Sequence, residues 1–145
     1  MKLNFNKENK PLTKKPMDAA ADILTRRPYS SHDLAQKMIE KGYPKEDVSE
    51  TIAKLIDMGY LNDEEYARMF AEQAVLNGKG NGYIKNKLNL SGIPRELIPS
   101  PENEFERAMK IAEKMDGKTP EQIGRRLASR GFAPATVYKI MEKFR

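Results

Sequence analysis

Lys37, Lys87 and Arg126 each stand three residues after one apolar position (Leu34, Ile84, Ile123) and one residue before another (Met38, Leu88, Leu127). A cation so placed borders the buried stripe of a helix. Its chemistry is charge-assisted hydrogen bonding to carboxylate or phosphate oxygens, not bond making. Lys85, Arg125 and Arg130 extend the same feature, Lys79 lies in a glycine-rich run just before it, and Arg26-Arg27 adds a pair near an expected helix C-terminus. These residues also have plainer uses, since lysines solvate a helix face and arginines at a C-terminus compensate the macrodipole.

Groups suited to bond making are scarce. His32 is the sole histidine and falls in the first turn of an expected helix, where capping or exposure accounts for it. Cysteine is absent, which removes thiolate catalysis, disulfides and cysteine-held metals together. Asp63-Glu64-Glu65 has the composition of an acid pair, but at a helix N-terminus its carboxylates stabilise the macrodipole. The run Gly78-Lys79-Gly80-Asn81-Gly82 has the backbone freedom to cradle a phosphate. No strand precedes it and a Gly-Lys-[Ser/Thr] ending is missing, so a helix–helix turn explains its glycines better. No enzyme, cofactor or metal site is expected.

The elements that position the cations repeat. Three times a glycine closes a helix and a proline soon opens the next: Gly42-Tyr43-Pro44, Gly92-Ile93-Pro94 and Gly131-Phe132-Ala133-Pro134. Six residues after each glycine come Val48, Ile98 and Val137, and twelve before it stand Ser30, Gly80 and Thr119, residue types that start helices. The pattern predicts an all-α chain of three tandem three-helix repeats forming an elongated, curved array. The boundaries are a basic disordered tail over 1–15 and repeats over 16–61, 62–101 and 102–145. In the first repeat, Met17, Ala20, Ala21 and Leu24 mark a helix from Pro16 that ends before Pro28, and the second helix starts at Ser30 or Ser31. Val48, Ile52, Leu55 and Ile56 form the expected buried face of the third. In the second repeat Pro99 and Pro101 cut the third helix very short.

Charge is concentrated at the start, where residues 1–15 carry Lys2, Lys7, Lys10, Lys14 and Lys15 against Glu8, in a chain whose net charge is +5. Such a tail before a nearly neutral body suits a polyanion or a polar protein surface. No apolar run approaches the ~20 residues that cross a bilayer and no signal-peptide core is present, which with the absence of cysteine fits a cytoplasmic protein, and the array is expected to be a monomer.

The order of several motifs is specific. Leu24-Thr25-Arg26-Arg27-Pro28-Tyr29-Ser30, Lys41-Gly42-Tyr43, Gly59-Tyr60-Leu61-Asn62-Asp63, Tyr66-Ala67 and Arg125-Arg126-Leu127-Ala128-Ser129-Arg130-Gly131-Phe132 resemble the RecX family, regulators of the RecA recombinase, over residues 16–145. The resemblance implies tandem three-helix repeats lying in the groove of a RecA–single-stranded-DNA filament. There they would contact neighbouring protomers and restrain filament growth, ATP hydrolysis and strand exchange in homologous recombination, DNA repair and the SOS response. Single-stranded DNA would be met directly or through the filament. The shortened third helix of the second repeat departs from the family pattern. The competing functions are a stand-alone helical DNA-binding protein or transcriptional regulator, and a scaffold for another protein.

An elongated array has a radius of gyration well above the ~15 Å of a compact domain of this length. Small-angle scattering checks this, and a compact value removes the array.

Overall fold

The computed structural model describes residues 12–145. Its regular elements are α1 (Pro16–Arg26), α2 (Ser31–Glu40), α3 (Lys45–Asp57), α4 (Asp63–Leu76), α5 (Asn81–Leu90), a 3₁₀ turn (Arg95–Leu97), α6 (Glu104–Glu113), α7 (Pro120–Ser129) and α8 (Pro134–Lys143). No strand occurs among the described residues. Proline or a polar cap sets the starts. Pro16, Pro120 and Pro134 occupy first-turn positions, where the missing N–H costs nothing. Ser30 accepts from the Asp33 amide, and Thr119 and Gln122 form a reciprocal capping box. The helix that Pro99 and Pro101 were expected to truncate is reduced to the 3₁₀ turn.

The chain forms two compact units, one of residues up to Tyr66 with Ser91–Ile93, the other of Ala67–Leu90 with Pro94–Arg145. In unit 1, α1, α2 and α3 pack pairwise around Ala20, Leu34, Met38, Val48 and Leu55. In unit 2, α6, α7 and α8 do the same around Ala108, Ile123, Leu127 and Ile140. The paired apolar positions of each middle helix, Leu34/Met38, Ile84/Leu88 and Ile123/Leu127, are among the most deeply buried side chains. Ile56 departs from expectation. It is 49% exposed, and the inward position one turn before Leu55 is taken by Thr51, whose hydroxyl donates to the Asp47 carbonyl at 2.8 Å.

Of the segment read as a tail, residues 1–11 lie outside the described residues. Leu12 packs on the core of unit 1, Lys14 ion-pairs with Asp22, and the Lys14 carbonyl accepts from Tyr43 Oη at 2.9 Å.

The glycine turns carry the construction. Gly42, Gly92 and Gly131 have φ of 106°, 75° and 89°, a left-handed backbone that L side chains avoid. The residue after each glycine, Tyr43, Ile93 or Phe132, turns inward and is buried. In unit 1 the carbonyl just before Gly92, that of Ser91, accepts from Ser30 Oγ at 2.7 Å. In unit 2 the carbonyl just before Gly131, that of Arg130, accepts from the Gly80 amide at 2.8 Å, and the Gly131 carbonyl accepts from the Gly82 amide at 2.9 Å. Ser30 and Gly80 occupy the same place in the repeat, so both units seat the start of one middle helix on the glycine turn of the next.

A carboxylate completes each seat. Asp63 Oδ1 accepts from the Ser31 amide at 2.8 Å. Glu104 accepts from the Asn81 amide at 3.1 Å and, through its other oxygen, from the Ala133 amide at 2.7 Å, so it caps α5 and α8 together. Arg107 Nη2 donates to Asn81 Oδ1 at 2.5 Å, and burial draws the guanidinium pKa down from its ordinary value.

Gly80 lies outside the left-handed region, yet a Cβ there would sit 2.4 Å from the Phe132 nitrogen. Gly80→Ala would ordinarily stabilise by trimming unfolded-state entropy. Backbone collision reverses the sign, with an expected loss of ~1–3 kcal/mol. A thermal melt beside the exposed control Lys139→Ala checks this, and an unchanged or raised Tm contradicts the close approach.

Candidate partner-binding surface

Each repeated cation precedes a core residue that fixes its direction. Met38, Leu88 and Leu127 are wholly buried, so Lys37, Lys87 and Arg126 emerge beside the core and are exposed. The middle helices α2, α5 and α7 thus present one cation each, one to two turns before the glycine, and all three sit in basic surroundings.

Around Lys37, a cleft of about 400 Å³ in unit 1 is lined by Lys14, Arg26, Lys37 and Lys41, with Asp22 and Tyr43 among its walls. Lys14, by hydrogen bond and by charge, holds the Asp22 carboxyl below its ordinary pKa, with Arg26 and Lys41 adding to the pull. Lys87 and Lys79 approach the ring of Tyr83 at 5.8 and 4.9 Å, and Phe70 stacks on the same ring at 6.2 Å between centroids. An aromatic ring flanked by ammonium groups suits the edge of a polyanion site. Around Arg126, an open cleft of about 360 Å³ in unit 2 is lined by Lys118, Arg125, Arg126 and Ser129.

The remaining sequence candidates divide. Arg26 joins the unit 1 cleft, whereas Arg27 lays its guanidinium 3.8 Å over the Tyr29 ring. Lys85 is exposed on α5. Arg130 is committed internally, donating to the Asn77 and Gly78 carbonyls at 3.2 and 3.5 Å where α4 ends. The amides of Gly80 and Gly82 are likewise spent on carbonyls, which accounts for the glycine run without a phosphate. His32 lies exposed against Gly92. Asp63 caps α2, and Asn62 Oδ1 accepts from the Glu65 amide at 3.0 Å, so this acidic cluster includes caps. Lys14 and Lys41 are cleft residues that the repeat alignment missed. Lys14 precedes the repeat, and Lys41 lacks a basic counterpart before Gly92, where Ser91 stands.

Among the described residues no His, Cys, Asp or Glu group has a metal-holding arrangement, and no helix is long and apolar enough to cross a membrane.

Residues 17–55 match the first three-helix domain of RecX and residues 62–98 its second. The regulatory protein RecX of Trichlorobacter lovleyi is 28% identical over 142 residues, covering 86% of this chain and 92% of that protein. That of Vibrio vulnificus is 30% identical over 102 residues, covering 67% of each. The crystal structure of RecX from Lactobacillus salivarius shares the fold at a TM-score of 0.75 and 22% identity, over 90% of this chain and 94% of that one.

Arg130→Ala removes a charged donor from two helix-end carbonyls and is expected to cost ~1–3 kcal/mol. Arg125→Ala, on the open surface, is expected to stay within ~0.5 kcal/mol. Urea unfolding of both variants checks the division, and equal stabilities would put Arg130 back among the free cations.

Proposed function

This chain belongs to the RecX family, and on that premise we propose that it is a non-catalytic regulator that binds the RecA–single-stranded-DNA filament and mainly inhibits the recombinase and its ATPase. In this reading residues 16–61, 62–101 and 102–145 are its three modules. The observation that carries the reading is the periodic placement of Lys37, Lys87 and Arg126, exposed beside wholly buried Met38, Leu88 and Leu127 on three equivalent helices. A filament presents equivalent surfaces at regular intervals, and repeated modules suit such a partner. Distributed cations also suit a partner whose core is a polyanion.

A stand-alone DNA-binding protein is the second reading, favoured by the basic clefts around Lys37 and Arg126. It differs in requiring tight binding to naked DNA.

Exposed charges contribute ~0.2–1 kcal/mol each, so a single substitution is expected to pass nearly unseen. The triple variant Lys37→Ala, Lys87→Ala, Arg126→Ala should weaken filament inhibition by roughly 3- to 100-fold while keeping its helicity and Tm. RecA ATPase assays with circular dichroism check this. A folded triple variant that inhibits fully returns the three residues to a solvated helix face. Leu34→Ala serves as the contrasting control, losing ~2–5 kcal/mol of stability through its cavity.

A further inference from the structure

The cleft of unit 1 holds more positive charge than its walls can use. Lys14, Arg26, Lys37 and Lys41 line it, and among the described residues Asp22 is its one carboxylate. Asp22 is already paired with Lys14. Among the described residues no carboxylate lies within ion-pair distance of Arg26, Lys37 or Lys41. Like charges gathered around one recess repel, and an anion seated among them relieves that repulsion.

We propose that this cleft is a phosphate-binding site, walled on one side by residues 12–14 and taking a phosphate ester that carries a sugar. Two features select the ligand. A phosphate ester offers several oxygens to cations arriving from α1, α2 and the N-terminal segment, and Arg26 brings a fork suited to bidentate contact. Leu12, Ala19 and Ile23 add apolar lining beside the cations, which suits a sugar and base next to the phosphate. A volume of about 400 Å³ falls in the range of small-ligand sites.

The segment is part of the site. The Lys14–Asp22 ion pair and the Tyr43 Oη bond to the Lys14 carbonyl hold residues 12–14 against α1 and α2. Lys14 thereby neutralises Asp22, the carboxylate among the described lining residues that would repel an anion. The inference extends the nucleic-acid side of the proposed function but needs no filament.

The test uses the full chain alone, titrated with inorganic phosphate, thymidine monophosphate, a fifteen-residue oligothymidylate and hexaglutamate, with tyrosine NMR shifts as the readout. Tyr29 and Tyr43 should shift with the phosphate-bearing probes. Oligothymidylate acting at concentrations at least tenfold below the monophosphate identifies a nucleic-acid backbone as the source, and comparable values identify a free phosphate. Arg26→Gln with Lys41→Gln should abolish the Tyr29 and Tyr43 shifts and lower the oligonucleotide salt slope by about 1.4, since single strands lose ~0.7 per contact. Lys139→Gln, on α8 of unit 2, should change neither. Shifts confined to unit 2, an unchanged slope, or hexaglutamate matching the phosphate probes overturns the site. Binding in the cleft by a chain that fails to bind filaments leaves this inference standing and removes the proposed function instead.

Discussion

A glycine turn pressed against the start of the preceding middle helix is the contact on which the other elements depend. The left-handed glycine directs the carbonyl before it outward and the side chain after it inward. The carbonyl then receives Ser30 Oγ in unit 1 or the Gly80 amide in unit 2. Helix N-termini leave amides without partners, and here a neighbouring turn and a carboxylate supply them. The approach is close enough to dictate residue type. A Cβ at Gly92 would stand 2.5 Å from that of His32, and one at Gly131 would stand 2.5 Å from the Tyr83 nitrogen.

That seating explains why the cations are held where they are. With the starts of α2 and α5 seated, and with Leu34/Met38 and Ile84/Leu88 wholly buried, Lys37 and Lys87 have little choice of direction at the backbone. In α7 the capping box of Thr119 and Gln122 serves the same purpose at the start of the helix. Helices with buried apolar pairs and exposed cations beside them suit a partner recognised by charge.

Much of this was legible in the sequence. The stripes and the proline and glycine punctuation located the helices, because burial period and missing backbone donors act locally. The deep burial of Leu34, Ile84 and Ile123 followed from their spacing. Other features were not legible because they join residues far apart in the chain. The bond from Ser30 to Ser91 spans 61 positions, and that from the Ala133 amide to Glu104 spans 29. The alignment of repeats gave Arg130 no role distinct from Arg125, since only the fold brings it to the end of α4. Ile56 was misread because it follows Leu55 on a helix whose inward turn admits Thr51. The packing of Leu12 and Lys14 could not be anticipated from a segment without helical period.

Co-sedimentation of the chain with RecA filaments on single-stranded DNA, beside naked single-stranded DNA at the same salt, tests the proposed regulation most directly. Regulation through the repeated cations requires the chain to pellet with the filament and to be retained far less by naked DNA. Equal or stronger retention by naked DNA would contradict it and establish a stand-alone nucleic-acid binder in its place.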